Sequence, residues 1–132
     1  MHLKNSQIIV IKIGSSILFD HKKQIRKKWL ISLAKDVKRL KSKNKKVIIV
    51  SSGAIALGCK KINYNKSNLK LEKSQAIASI GQIELMNLFS QTFLKYKLNI
   101  SQILLTLDDT EERRRSINAK RTLENLFKID YI

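Results

Sequence analysis

Two short aliphatic runs, each stopping abruptly on small residues, constrain this chain more than any other feature. Gln7 to Ile13 is nearly continuous isoleucine and valine and stops at Gly14-Ser15-Ser16, and Val47-Ile48-Ile49-Val50 stops at Ser51-Ser52-Gly53. Short β-branched runs with no polar alternation predict strands buried on both faces. Between them, from about Lys23 to Lys43, Ile25, Trp29, Leu30, Leu33, Ala34, Val37 and Leu40 recur at helical spacing with lysines on the other face. That stripe predicts a surface helix lying on a sheet. Strand, crossover helix and strand form a βαβ unit, which requires the two strands to be parallel.

The rest of the chain continues the alternation. Ala54 to Lys60 reads as a short helix, and the polar stretch Asn63 to Asn68 as a loop or hairpin between elements. Glu72 to Lys95 carries Ala76, Ile77, Ile80, Ile83, Met86, Leu88, Phe89 and Phe93, the pattern of a long buried helix; Gly81 inside it predicts a close backbone approach. Ile100 to Leu107 reads as a third strand. Asp109 and Glu112 form a capping pair opening a helix to about Phe127, and Asp130-Tyr131-Ile132 begins a fourth strand. The expected fold class is α/β, layered α/β/α with a mainly parallel sheet. Because a strand is just beginning at Ile132, residues 1–132 read as a truncated, N-terminal part of one domain.

Size and composition fit one soluble unit: 132 residues, 43% hydrophobic and 28% charged, with no apolar stretch of membrane-spanning length. A single cysteine, Cys59, and a polar N-terminus without a secretory signal point to the cytoplasm and to no membrane partner. Cys59 itself reads as core. The formal charge of +17 raises the alternative of a basic nucleic-acid-binding protein. The excess is local, however, with twelve basic side chains against Asp36 alone between residues 21 and 46. It is also mostly lysine, whereas bidentate recognition of phosphates and base edges favours arginine. Trp29 lies on the apolar face of that helix and is better used in packing than in base stacking. Nucleic acid is therefore the disfavoured partner.

With four glycines and no proline in the chain, glycine placement is informative. Gly14 and Gly53 each follow a strand directly, and Gly58 lies a turn further on. In an open parallel sheet, ligands bind beyond the carboxyl ends of the strands, where glycine lets backbone N–H groups approach phosphate oxygens. Neither corner matches a Walker A loop or G-x-G-x-x-G. Lys12 is the one charge in the run Ile8 to Ile13 and lies two residues before Gly14. It is either a lysine snorkelling from an edge strand or a cation at a strand end, placed to stabilise a phosphoryl group in transfer. His2 and His21 read as solvated, so no histidine stands out as a general base.

Taken in order, Lys12-Ile13-Gly14-Ser15-Ser16, Ser51-Ser52-Gly53-Ala54-Ile55-Ala56-Leu57-Gly58, Ala78-Ser79-Ile80-Gly81-Gln82, and Gln102 to Thr106 with Asn118-Ala119 resemble the N-terminal half of the glutamate 5-kinase family, within the amino acid kinase superfamily. The resemblance implies transfer of the γ-phosphoryl of ATP to the side-chain carboxylate of L-glutamate, the first step toward proline, with Mg²⁺ accompanying ATP. It assigns Lys12 to the ATP phosphates and the transition state, Gly14 and Ser15 to the phosphate path, and Ser52, Gly53 and Ala54 to glutamate; no residue is assigned as a metal ligand. It further implies a homo-oligomer at full length, and a C-terminal, nucleotide-binding half that is absent here, so that the chain alone is incomplete as a catalyst. A kinase of the same family acting on another carboxylate is the alternative within this reading. Asp108 and Asp109 are better used as turn and cap than as replacements for missing acids. Arg113-Arg114-Arg115, after Glu111 and Glu112, read as helical salt pairs.

Overall fold

The computed structural model describes residues 5–21, 24–65 and 69–132. Strand β1 (Ile8–Ile13) leads into a one-turn helix α1 (Ser15–Leu18), followed by α2 (Lys27–Lys41), strand β2 (Lys46–Ser51), α3 (Ala54–Lys61) and α4 (Leu71–Leu94); α5 (Asp108–Glu111) and α6 (Arg113–Lys128) complete the order. β1 and β2 pair in parallel, with Ile9 opposite Val47, Lys12 opposite Val50 and Ile13 opposite Ser51. This is the βαβ unit read from the sequence, and the architecture is α/β. The crossover helix begins at Lys27 rather than near Lys23, because Phe19 and Ile25 first pair as an antiparallel bridge. Lys23 itself, and the Lys66–Asn68 part of the polar loop, lie outside the described residues.

One face of the sheet is closed. Ile13, Val47, Leu30, Ala34, Val37, Leu85, Phe89 and Phe93 form a continuous buried core in which α2 and α4 cover β1 and β2, with Trp29 packed at its margin. Burial of this kind contributes about 1.5–3 kcal/mol per large aliphatic or aromatic side chain. The expectation that β1 is buried on both faces is corrected: Ile9 and Ile13 are buried, whereas Ile8, Val10 and Lys12, pointing the other way, are exposed. An aliphatic run states that a strand is compatible with two covered faces; it does not supply the second layer.

Gly81 and Gly58 explain how α3 reaches this core. A Cβ at Gly81 would stand 1.7 Å from the Ala54 carbonyl oxygen, and one at Gly58 would stand 2.1 Å from that of Ile77. The two helices therefore touch backbone to backbone, the close approach predicted for Gly81.

Helix ends are built with little glycine. Asn44, Asn63, Lys97 and Asp130 take positive φ, each just beyond α2, α3, α4 and α6 respectively. The following N–H then reaches back five residues, Lys45 to Leu40, Tyr64 to Cys59, Leu98 to Phe93 and Tyr131 to Leu126, closing a Schellman-type turn each time. The last of these turns is anchored across the chain. The Lys41 ammonium, its side chain only 14% exposed, meets Asp130 Oδ1 at 2.6 Å and donates to the Asp130 carbonyl at 2.8 Å.

Two further expectations are corrected. Residues Ile100 to Leu107 do not pair as a third strand, and the sheet among the described residues has two strands rather than four. The segment instead runs beside β2 across an apolar cleft. Its start is bonded through Ile132, which donates to the Asn99 carbonyl and accepts from the Ser101 N–H. The pair Asp109 and Glu112 does not cap a helix. Asp109 Oδ2 accepts from the Thr106 N–H at 2.7 Å and the Thr106 hydroxyl at 2.8 Å, so the partner of Asp109 is Thr106, just before α5, with both bonds donated by the threonine. The chain breaks at Glu112 before α6 begins, and Arg115 is shared between Asp108 and Glu112 as a helical salt pair.

The Thr106 N–H, then its hydroxyl, and then the Arg115 guanidinium hold the Asp109 carboxyl below the ordinary aspartate range. A carboxyl whose folded pKa is depressed stabilises the fold above its unfolded value and loses that contribution as pH falls through the folded value. In an NMR titration the Thr106 amide should therefore shift with a midpoint below that of aspartate in an unstructured peptide, and Thr106→Val should raise the midpoint. A midpoint at or above the peptide's would show that the contact is not held in solution.

Candidate functional site

The carboxyl ends of β1 and β2 lie side by side because the strands are parallel and in register, and each hands the chain directly to a helix. β1 delivers Gly14 as the residue before α1, and β2 delivers Gly53 as the residue before α3. Gly53 has φ +126°, a conformation that side-chain-bearing residues rarely adopt. A Cβ there would stand 3.3 Å from Leu18 Cδ1, 3.6 Å from Phe19 Cε2 and 3.9 Å from Ser15 Cβ. The two small-residue corners are thus in contact, with Leu18 and Phe19 as the apolar wedge between them.

The corners are also tied by hydrogen bonds. Ser52 donates to the Ile13 carbonyl from its backbone N–H at 3.0 Å and from its hydroxyl at 3.3 Å. Beyond that link, the backbone N–H groups of Gly14, Ser15, Gly53 and Ala54 have no partner among the described residues. At α3 the N–H groups of the first turn add the positive end of the helix dipole. The arrangement is one of several backbone donors around the joint end of two strands, chemistry suited to anionic oxygens.

Lys12 adds the cation. It is exposed on β1, opposite Val50, one pleat before the corner, and no acid or other hydrogen-bonding group pairs with it among the described residues. Among the predicted residues the structure therefore brings together Lys12, Gly14, Ser15, Ser52, Gly53 and Ala54 at one end of the sheet. His21 is exposed in the turn after Asp20, Cys59 is buried in α3, and His2 lies outside the described residues. No cluster of histidine, cysteine, aspartate or glutamate among the described residues is placed to hold a metal ion.

The remaining motifs divide. Ala78 to Gln82 sits on α4, where Gly81 meets the backbone of α3 immediately after the second corner. Gln82 lines an apolar cleft of about 420 Å³ with Ser51 of β2 and Gln102 of the following segment. Asn118 and Ala119 face Leu104, Leu105, Asp109 and Arg115 around a shallower cavity of about 220 Å³. Sequence reasoning missed three contributors: the Leu18 and Phe19 wedge, the cleft along β2, and the Lys41 anchor on Asp130. The first has a weak signal in the apolar pair following Gly14-Ser15-Ser16; Lys41 and Asp130 are 89 residues apart and carry none.

The profile of the amino acid kinase family matches residues 7–132. Among curated relatives, a glutamate 5-kinase of Pelagibacter ubique is 70% identical over 132 residues, which is the whole of this chain and 36% of that protein. A glutamate 5-kinase of Bartonella henselae is 52% identical over 120 residues, 91% of this chain and 32% of the relative. One of Sinorhizobium fredii is 47% identical over 127 residues, 96% of this chain and 32% of the relative. The chain spans about a third of the length of these relatives. No helix among the described residues is long and apolar enough to cross a membrane.

Proposed function

We propose, from the premise that this chain belongs to the amino acid kinase family, that it carries the phosphoryl-transfer corner of an ATP-dependent glutamate 5-kinase. The observation that carries the reading is the contact between the two strand ends, with Lys12, unpaired among the described residues, two residues before Gly14 on β1 and opposite Val50 of β2. The names of the relatives supply the substrate.

In this reading one oxygen of the glutamate side-chain carboxylate attacks the γ-phosphorus of ATP, the bond from that phosphorus to the bridging oxygen breaks, and ADP departs with the bond's electrons. The product is an acyl phosphate. The attacking group is already ionised at neutral pH, since a glutamate carboxyl titrates near 4.3, roughly, in the free amino-acid side chain. No proton has to be removed, which fits a corner built of lysine and backbone donors with no base. Lys12 and the N–H groups of Gly14 and Ser15 receive the charge on the moving phosphoryl oxygens. Ser52, Gly53 and Ala54, at the positive end of α3, orient the glutamate. The corner's residues, which are donors and a cation, are suited to the phosphates and not to a metal; Mg²⁺, if it accompanies ATP, would serve to neutralise phosphate charge. The adenine end of the nucleotide is assigned to the length that the relatives carry beyond this chain.

The test joins this chain to the remaining length of the 70% identical relative and supplies ATP, Mg²⁺ and hydroxylamine, which converts acyl phosphates to hydroxamates. Glutamate-dependent hydroxamate formation is the expected result. Formation with a different carboxylate in preference to glutamate would keep the reaction and change the substrate; ATP turnover without any hydroxamate would remove the reading.

A further inference from the structure

We infer that Phe19 is a positioning residue for phosphoryl transfer, setting the Gly53-Ala54 donors against the Gly14-Ser15 donors so that the acceptor carboxylate and the γ-phosphorus are held in line. This deepens the proposed function and rests on it. The need arises at Gly53. At φ +126° this residue uses backbone freedom that side-chain-bearing residues lack, so the strand alone does not fix the direction of the N–H groups that follow it. The two bonds from Ser52 to the Ile13 carbonyl stop one residue short. Packing fills the gap. A Cβ at Gly53 would stand 3.3 Å from Leu18 Cδ1 and 3.6 Å from Phe19 Cε2, so the glycine is held between these two side chains. Leu18 is fully buried in the core, whereas Phe19 is half-buried and packs at its margin. Phe19 is therefore the member of the pair whose loss can be separated from loss of the fold.

Phe19 is itself held on a short paired segment. It bridges antiparallel to Ile25, and on either side of that bridge the Arg26 N–H donates to the Leu18 carbonyl and the Asp20 N–H to the Gln24 carbonyl, each at 2.9 Å. The Gln24 N–H donates in turn to Asp20 Oδ1 at 2.8 Å. The same segment reaches the other end of α3, where Lys60 Nζ donates to Gln24 Oε1 at 3.0 Å. α3 is thus gripped at its start through Gly53 and in its last turn through Lys60, from a segment that follows directly on α1 and the first corner. A flat ring with two rotatable bonds, fixed in this way, transmits the position of one corner to the other. Every contact in the device lies between Ile13 and Lys60.

The experiment measures ADP and hydroxamate together in the protein joined to the remaining length of the 70% identical relative. Phe19→Ala should lower kcat for hydroxamate by about 10–10²-fold, the effect of a misplacement of about 1 Å. The dissociation constants of ATP and of glutamate, each read alone, should stay within about threefold, because each corner keeps its own donors. Hydroxamate per ADP should also fall, since water attacking the γ-phosphorus in place of the displaced carboxylate gives ADP, inorganic phosphate and a proton. Phe19→Tyr, which keeps the ring against Gly53, should restore both quantities. Circular dichroism checks folding; if Phe19→Ala does not fold, Phe19→Leu must show the same two losses. An unchanged kcat, ADP and hydroxamate falling in strict proportion, or a change confined to a dissociation constant would each overturn the inference. No hydroxamate from the unsubstituted protein would instead remove the phosphoryl-transfer reading, and this inference with it.

Discussion

Gly81→Ala is expected to strip this chain of most of its stability, a loss of more than about 3 kcal/mol against the 5–15 kcal/mol, roughly, that holds a typical domain. The sign is informative because helix propensity alone favours alanine over glycine by about 1 kcal/mol. Packing decides otherwise. The new Cβ would meet the Ala54 carbonyl oxygen at 1.7 Å, the Gly58 nitrogen at 2.5 Å and the Ala54 carbonyl carbon at 2.7 Å. All three are backbone atoms, so no rotamer change relieves the clash; α3 must lift from α4. That movement would draw Leu57 out of the core and displace the start of α3 beside Gly53. Urea unfolding followed by circular dichroism should show an early, broadened transition. Gly14→Ala is the control: its Cβ would find only Ser16 Oγ at 3.8 Å, and stability should change by less than about 1 kcal/mol. Equal behaviour of the two variants would mean that the helices do not approach as described.

Lys12→Met is expected to do the reverse, leaving stability within about 0.5 kcal/mol and removing turnover. Lys12 is exposed and unpaired among the described residues, so its loss strands no buried partner, and methionine keeps the length of the stem. In the protein joined to its remaining length, the ammonium would face charge that shifts as the γ-phosphoryl moves. Removal of one such preorganised donor lowers kcat by about 10²–10³ in well-studied sites. The effect should fall on kcat more than on the KM for glutamate, since the proposed role sets Lys12 against the phosphoryl oxygens and not the amino acid. A change confined to that KM would move Lys12 out of the transition state.

The strands and helices that were legible in the sequence are those specified by local pattern. The aliphatic runs of β1 and β2 and the stripe from Trp29 to Leu40 need no knowledge of distant residues, and Gly81 announces its own close contact. Ile100 to Leu107 carries the same aliphatic signature and yet is not a strand here, with Leu104 and Leu107 largely exposed. Strand formation needs a partner edge at the right distance, and periodicity does not report distance. The capping pair shows a different ambiguity. Thr106 to Asp109 and Asp109 to Glu112 are overlapping signals of equal spacing, and the break at Glu112, with Arg115 bridging Asp108 and Glu112, selects the first. Of the candidate site, Gly14 and Gly53 were legible because each lies just past an aliphatic run, and Lys12 because it is the one charge within the first run. That the corners touch through Leu18 and Phe19 was not, because it depends on the parallel register and on the turn of α1.

The two lysines of the open sheet face provide the most direct measurement. Lys12 and Lys46 point the same way, Lys12 at the carboxyl end opposite Val50 and Lys46 at the amino end opposite Ile8. Glutamate-dependent phosphoryl transfer by the joined protein should fall by about 10²–10³ for Lys12→Met and remain near wild type for Lys46→Met. Equal activities in the two variants would contradict the placement of phosphoryl transfer at the Lys12 and Gly53 corner.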